Sequence, residues 1–211
     1  MGYHIKEIFY TLQGEGAMTG RPAVFCRFSG CNLWSGREED RSEAVCKFCD
    51  TDFRGTDGIN GGNFPDAEHV AMKIASCWPD LSKGKPYVVC TGGEPLLQMD
   101  ESFTHALKRY GFEIAIETNG TMPLISGIDW ICVSPKSSSK LLLDYGNELK
   151  LVYPQMDALP EKFEHLAFEN FYLQPMDGEM IEKNQFETLA YCLKNPQWKM
   201  SLQIHKWLNI P

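Results

Sequence analysis

Six short apolar runs, each ending in small or polar residues, constrain this chain more than any other feature. They are AVFCRF (23–28), YVVCT (87–91), EIAIET (113–118), WICVS (130–134), ELKLVY (148–153) and FYLQP (171–175). Their β-branched, aromatic and nearly unbroken apolar character predicts strands covered on both faces. Amphipathic stretches separate several of them. PDAEHVAMKIASCW places Val70, Ile74 and Cys77 on one helical face. ESFTHALKRYG does the same with Phe103, Ala106, Leu107 and Tyr110 and stops at Gly111, and MIEKNQFETLAYCLKN gives a late helix before Pro196. A further strand is expected at SLQIHKW, near the end of the chain. Strand–helix alternation builds a parallel sheet with helical crossovers. With 211 residues the chain is short for a closed eight-stranded barrel, which takes about 250. A partial barrel or an open doubly wound sheet fits the length.

The strand ends carry the chemistry. YVVC runs into Thr91-Gly92-Gly93-Glu94-Pro95, EIAI into Glu117-Thr118-Asn119-Gly120, WICV into Ser134-Pro135-Lys136, and FYL into Gln174-Pro175-Met176-Asp177. In either parallel architecture the C-terminal rim of the sheet is where ligands bind. One polar loop is ordinary; four in register point to one site.

Charge narrows the classes. Against 28 acidic residues stand 20 basic ones, a formal charge of −8, so the chain as a whole is not drawn to nucleic acid or to anionic membranes. No run approaches the ~18 apolar residues of a membrane span, and MGYHIKEIFYTLQGEG lacks the features of a secretion signal. A soluble, cytoplasmic, reducing location is expected, in which the 8 cysteines remain thiols. Cys90 and Cys132 in apolar runs, and Cys77 and Cys192 in helical patterns, read as small buried hydrophobes. Cys31, Cys46 and Cys49 are different: within GCNLWSGREEDRSEAVCKFCDTDF they form C-x14-C-x2-C. Ser35 followed by Glu38 suggests a capping box and a short helical excursion that leaves Cys31 and returns at Cys46. C-x2-C is a recurring metal-binding spacing. A structural zinc would need a fourth ligand, for which only Asp50 and Asp52 are at hand. A four-iron cluster held by three thiolates would keep one iron open, and three unrelated buried cysteines are the remaining reading.

FYTLQGEGAMTGRPAVFCRFSGCNLWSG, CKFCDTDF, CTGGEPLLQ, IAIETNG, CVSPK, NELK, QPMDG and the terminal HKWLNIP together resemble the 7-carboxy-7-deazaguanine synthase family, radical S-adenosylmethionine (SAM) enzymes of queuosine and 7-deazapurine biosynthesis. The match runs from residue 7 to the end. The superfamily's usual C-x3-C-x2-C is expanded here, as in a subset of this family. The resemblance implies a single radical SAM domain over 1–211, a partial (β/α)6 TIM-like barrel with a cluster-binding loop at 31–49. It gives Cys31, Cys46 and Cys49 to a [4Fe–4S] cluster whose open iron takes the amino and carboxylate groups of SAM. Phe48, Cys49 and Asp50 would meet the adenine. Gly92, Gly93 and Glu94 would hold the methionine end, with the Glu94 carboxylate receiving its ammonium, and Ser134, Pro135, Lys136, Gln174, Pro175, Met176 and Asp177 would cradle the rest.

By the same resemblance the substrate is 6-carboxy-5,6,7,8-tetrahydropterin, and the product, after ring contraction and loss of ammonia, is 7-carboxy-7-deazaguanine. Leu12, Gln13 and Gly14 match its binding loop. Arg27 suits its carboxylate, since a guanidinium grips a carboxylate through two hydrogen bonds. Thr91 and the terminal carboxylate of Pro211 are further candidates, with His205 a weaker one, and Thr51 matches the ligand of a Mg²⁺ ion. A homodimer and a reductant such as flavodoxin are implied as partners. A glycyl-radical activase and a zinc-stabilised binding module are the competing readings. TLQGEG and HKWLNIP speak against the first.

Overall fold

In a computed structural model, described over residues 2–211, one sheet of nine strands takes in both ends of the chain. Its strands are β1 (Tyr3–Leu12), β2 (Pro22–Phe28), β3 (Gly62–Phe64), β4 (Tyr87–Gly92), β5 (Glu113–Thr118), β6 (Trp130–Val133), β7 (Tyr145–Tyr153), β8 (Ala167–Pro175) and β9 (Trp198–Met200). They lie in the order β3-β1-β2-β4-β5-β6-β7-β8-β9. From β2 to β9 every pairing is parallel and follows the chain. A doubly wound sheet would reverse its strand order at a switch point; this one does not, so it is wound in a single sense like a barrel. β3 and β9 remain as edges, so the sheet is open. Both edges are only three residues long, which limits edge-to-edge association.

The six runs read as strands are β2 and β4 to β8. β1, antiparallel to both β2 and β3, carries no simple signal: its register shifts between Ile5 and Glu7, and the bulge breaks the period of two. SLQIHKW is not a strand. Pairing with β8 stops at Met200, and Ile204–Leu208 forms a short helix, α4.

Before α4 come α1 (Ala67–Cys77), α2 (Glu101–Arg109) and α3 (Ile181–Lys194). Asp66 caps α1 by accepting from His69 N at 3.0 Å, and Asp100 caps α2 by accepting from Phe103 N at 3.0 Å. Gly111, at φ +80°, turns the chain out of α2. Val70, Ala71 and Ile74 of α1 and Phe103, Ala106 and Leu107 of α2 are buried against Val24, Cys26, Phe28, Val88, Cys90, Ile114 and Ile116. This is the core, on the outer face of the sheet. The crossovers from β5 to β6, β6 to β7 and β7 to β8 carry no α-helix, so the helical layer is thinner than the strand count implies.

The other face of the same strands is different. Its lower part is a small apolar cluster of Ala23, Tyr87, Val89 and Ala115. Above it Glu117, Glu148 and Lys150 point inward; Glu148 and Lys150 are 2% and 4% exposed. The expectation of strands apolar on both faces is therefore wrong for β5 and β7, where alternate residues are charged.

Candidate functional site

Strand ends and the loops that follow them enclose a cavity of about 410 Å³, the size of a small-molecule site. One wall is the cysteine loop. Gly30 N donates to Phe53 O at 3.2 Å and Glu94 N to Gly30 O at 2.9 Å, which ties the start of the loop to its end and to the loop after β4. Val45 N and Cys46 N both donate to Leu33 O, at 3.1 and 3.3 Å, and close the 35–45 excursion at its base. Arg41 lies over the Trp34 ring at 4.0 Å and donates to Lys47 O and Cys49 O at 2.9 and 3.2 Å. The excursion itself is an exposed 3₁₀ segment, Glu38–Glu43. Ser35 does not cap it through Glu38: its hydroxyl bonds Asp40 at 2.6 Å and accepts from Arg37 N, while Glu38 is paired with Arg41.

The loop brings Cys31, Cys46 and Cys49 to the cavity wall as free thiols. Cys49 is lowered by the hydrogen bond it shares with Cys46, which is raised correspondingly, and burial raises Cys31. Among the described residues no three His, Cys, Asp or Glu side chains converge closely enough to hold one metal ion. Three thiols on one cavity wall can give one thiolate to each of three irons of a cluster, whereas a structural zinc takes four ligands.

Against this loop lies the end of β4. Gly92 adopts φ +141°, and a Cβ there would sit 2.3 Å from Phe28 O; one on Gly93 would sit 2.2 Å from Gly30 O and 2.7 Å from Cys31 Cβ. Only glycine lets this strand end pass so close to the cysteine loop. Gly92, Gly93, Ser134, Lys136, Gln174, Pro175, Asp177, Phe48, Asp50 and Thr51 all line the cavity. Glu94, Pro135 and Met176, also expected at SAM, are not among the residues that line the cavity. The Glu94 carboxylate is fully buried away from the cavity and accepts from Leu96 N, Thr118 Oγ1 and Asn119 N at 3.0, 2.8 and 2.8 Å. With those donors in place it braces the Gly-Gly turn against β5. Pro135 is buried, and Met176 N donates to Tyr153 O at 2.7 Å.

The opposite wall holds Leu12, Gln13, Gly14, Arg27, Thr91, His205 and Pro211. A Cβ on Gly14 would lie 2.3 Å from His205 Nδ1, so the glycine makes room for that ring. Burial lowers the His205 pKa against the pull of Glu15. Arg27 Nε donates to Glu7 at 2.7 Å, which fixes the stem of the guanidinium. Thr11 Oγ1 donates to Pro211 O at 3.0 Å.

Sequence reasoning gave no role to the floor. Lys150 Nζ contacts Glu15 and Glu117, each at 2.8 Å, and its side chain is 5% exposed. Gln13 donates to Glu117 at 3.1 Å, and Gln174 and Gln203 donate to Glu15 at 3.1 and 3.0 Å. Burial would raise Glu15, but Lys150 overrides it and holds the carboxyl at about 2. The available signal was Glu148 and Lys150 two apart inside ELKLVY, a period-two pattern in a run otherwise apolar.

No family model matches the chain. Curated relatives do. A 7-carboxy-7-deazaguanine synthase of Bordetella pertussis is 59% identical over 211 residues, covering 100% of both chains. Its counterpart in Bradyrhizobium diazoefficiens is 60% identical over 210 residues, again covering 100% of both. Among solved structures, the crystal structure of QueE from Escherichia coli superposes with a TM-score of 0.71 at 27% identity, over 96% of this chain and 94% of that one.

Proposed function

Because the chain belongs to the 7-carboxy-7-deazaguanine synthase family, we infer that it is a radical SAM lyase. It converts 6-carboxy-5,6,7,8-tetrahydropterin to 7-carboxy-7-deazaguanine with loss of ammonia. The observation that carries this reading is that the C-x14-C-x2-C thiols, the Gly92-Gly93 turn and the Gln13/Arg27 wall all border one cavity.

An iron–sulfur cluster with SAM supplies the one-electron chemistry that starts the reaction. Everything else falls to this chain's residues. Cys31, Cys46 and Cys49 would hold the cluster as thiolates. Gly92 and Gly93 would admit the methionine end of SAM, while Phe48, Asp50, Ser134, Gln174, Pro175 and Asp177 would border the rest of it.

Arg27, its Nε fixed by Glu7, leaves its terminal nitrogens for the substrate carboxylate. Gln13, Gly14, Thr91 and Pro211 would set the pterin plane, and Thr51 would contribute to a Mg²⁺ site, a hydroxyl suiting a cation that keeps most of its waters. The Lys150–Glu15–Glu117 set, with its lysine buried, would fix charge beneath the substrate, where a closed site makes such charges effective. The whole chain would act as one domain, as a homodimer, drawing electrons from a flavodoxin-like reductant.

The test is anaerobic reconstitution followed by turnover. About four irons per chain, a broad visible absorption and release of ammonia with the deazaguanine are expected. Stoichiometric zinc without iron, or SAM cleavage with no change in the pterin, would sink the reading.

A further inference from the structure

The last helix is an unusual piece of the fold. α4 has five residues and none of them is buried; Trp207 and Leu208 are 66% and 56% exposed. A helix this short does not hold itself together in water, and no core holds it here. What does is a set of polar contacts on its inner side. Ile204 N donates to Gly14 O at 3.1 Å, and Gln203 reaches Glu15. Lys206 Nζ lies 2.9 Å from Asp50 and 2.5 Å from Asp177.

The two aspartates come from separate parts of the chain. Asp50 follows the last cysteine of the loop, and Asp177 follows β8. Among the described residues Lys206 is the one cation that bridges them, and it rides on the segment that carries His205 and leads to Pro211 on the cavity wall. We propose that Lys206 is a positioning residue: its ammonium latches the 203–211 segment across the cysteine loop and the β8 end, and so sets the spacing of the walls between which SAM binds.

This rests on the functional reading above, since Asp50 and Asp177 lie where SAM is expected. Without the cation, two carboxylates of the cavity lining would face each other unpaired and the segment would lose both of its ion pairs to them. Lys206 does not touch the reacting atoms, so its loss should be felt through the loops it joins.

The experiment compares wild type, Lys206→Met and Lys206→Arg as reconstituted anaerobic enzyme, by hydrogen exchange and by equilibrium binding of SAM. In Lys206→Met, amides of 203–211 should exchange about tenfold faster, with the central strands unchanged. The Kd for SAM should rise about tenfold. Lys206→Arg, which keeps the charge, should restore both. Unchanged exchange in 203–211, faster exchange with an unaltered SAM Kd, or an arginine variant as impaired as the methionine one would each overturn the proposal. Should Lys206→Met fail to fold, Asp177→Asn, which removes one anchor and keeps the lysine, must give the same local exchange increase. If the unaltered protein binds no SAM, the functional reading falls, while exchange still reports on the latch.

Discussion

The two faces of the sheet are built from the same strands by opposite rules. On β5, Ile114 and Ile116 point outward into a core of aliphatic and aromatic side chains, while Ala115 and Glu117 point inward. On β7, Leu149 and Leu151 point outward and Glu148 and Lys150 inward. The outer face is held by apolar area removed from water, which is spread over many contacts and tolerates changes that keep volume. The inner face is a network of buried charges, in which each group is costly unless its partners are present. Removing one residue therefore means different things on the two sides.

Cysteine gives the sharpest version of that contrast. Cys90 is a buried thiol of the outer core, and Cys31 is a thiol on the cavity wall. Cys31→Ala should bind almost no iron and show no detectable turnover. Cys90→Ala should retain wild-type iron content, with a loss of about 1 kcal/mol in urea unfolding from the sulfur's missing packing. Full iron in the Cys31 variant would remove that residue from the ligand set and leave the two faces chemically alike.

Lys150 tests the inner network. Lys150→Met leaves the half-buried Glu15 and Glu117 without their cation, and should cost about 3 kcal/mol in urea unfolding of the metal-free protein. Lys150→Met combined with Glu117→Gln should recover part of that loss, because one orphaned charge is gone. Strict additivity of the two changes would mean that the groups do not act together. On the outer face, Ile114→Val removes one buried methylene and should cost about 0.5–1.5 kcal/mol, with the Kd for SAM unchanged. A shifted Kd would mean that the core face also tunes the site.

The outer face was also the legible one. Apolar runs located β2 and β4 to β8, and helical periodicity, with Gly111 as the stop of the second, located α1 and α2, because burial on one side imposes a regular spacing. The rim was legible for the same reason: a strand that ends in glycine or a polar residue has left the core. β1 was hidden by its bulge, and SLQIHKW misled because three apolar residues in seven say nothing about whether a core exists to receive them. The bracing role of Glu94 was illegible because a carboxylate after two glycines suits a ligand grip and a loop brace equally well; the donors that hold it, on Thr118 and Asn119, lie more than twenty positions away. The Lys150 network was illegible for a related reason. Its partners come from the loop after β1 and the end of β5, and one sequence gives no register between distant strands.

The lower end of the inner face offers the mildest test, because its charges meet solvent. Arg21 grips Glu113 through two hydrogen bonds of 2.9 and 3.1 Å while lying 3.7 Å over the Tyr87 ring. This pair holds the Glu113 carboxyl at about 2, below its ordinary 4.5. A carboxyl depressed in the folded state stabilises it above the unfolded value and loses that contribution as pH falls through the folded one. The Glu113 share of stability is therefore complete above about pH 4.5 and gone near pH 2. Both side chains are partly exposed, at 27% and 17%, which holds the contribution to about 1 kcal/mol. Glu113→Gln should lower the urea midpoint slightly at pH 7, and the difference from wild type should close as both are titrated from pH 4.5 toward 2. Curves that stay parallel across that range would show that the pair contributes nothing through its charge, and that buried partners such as Lys150 carry the inner face alone.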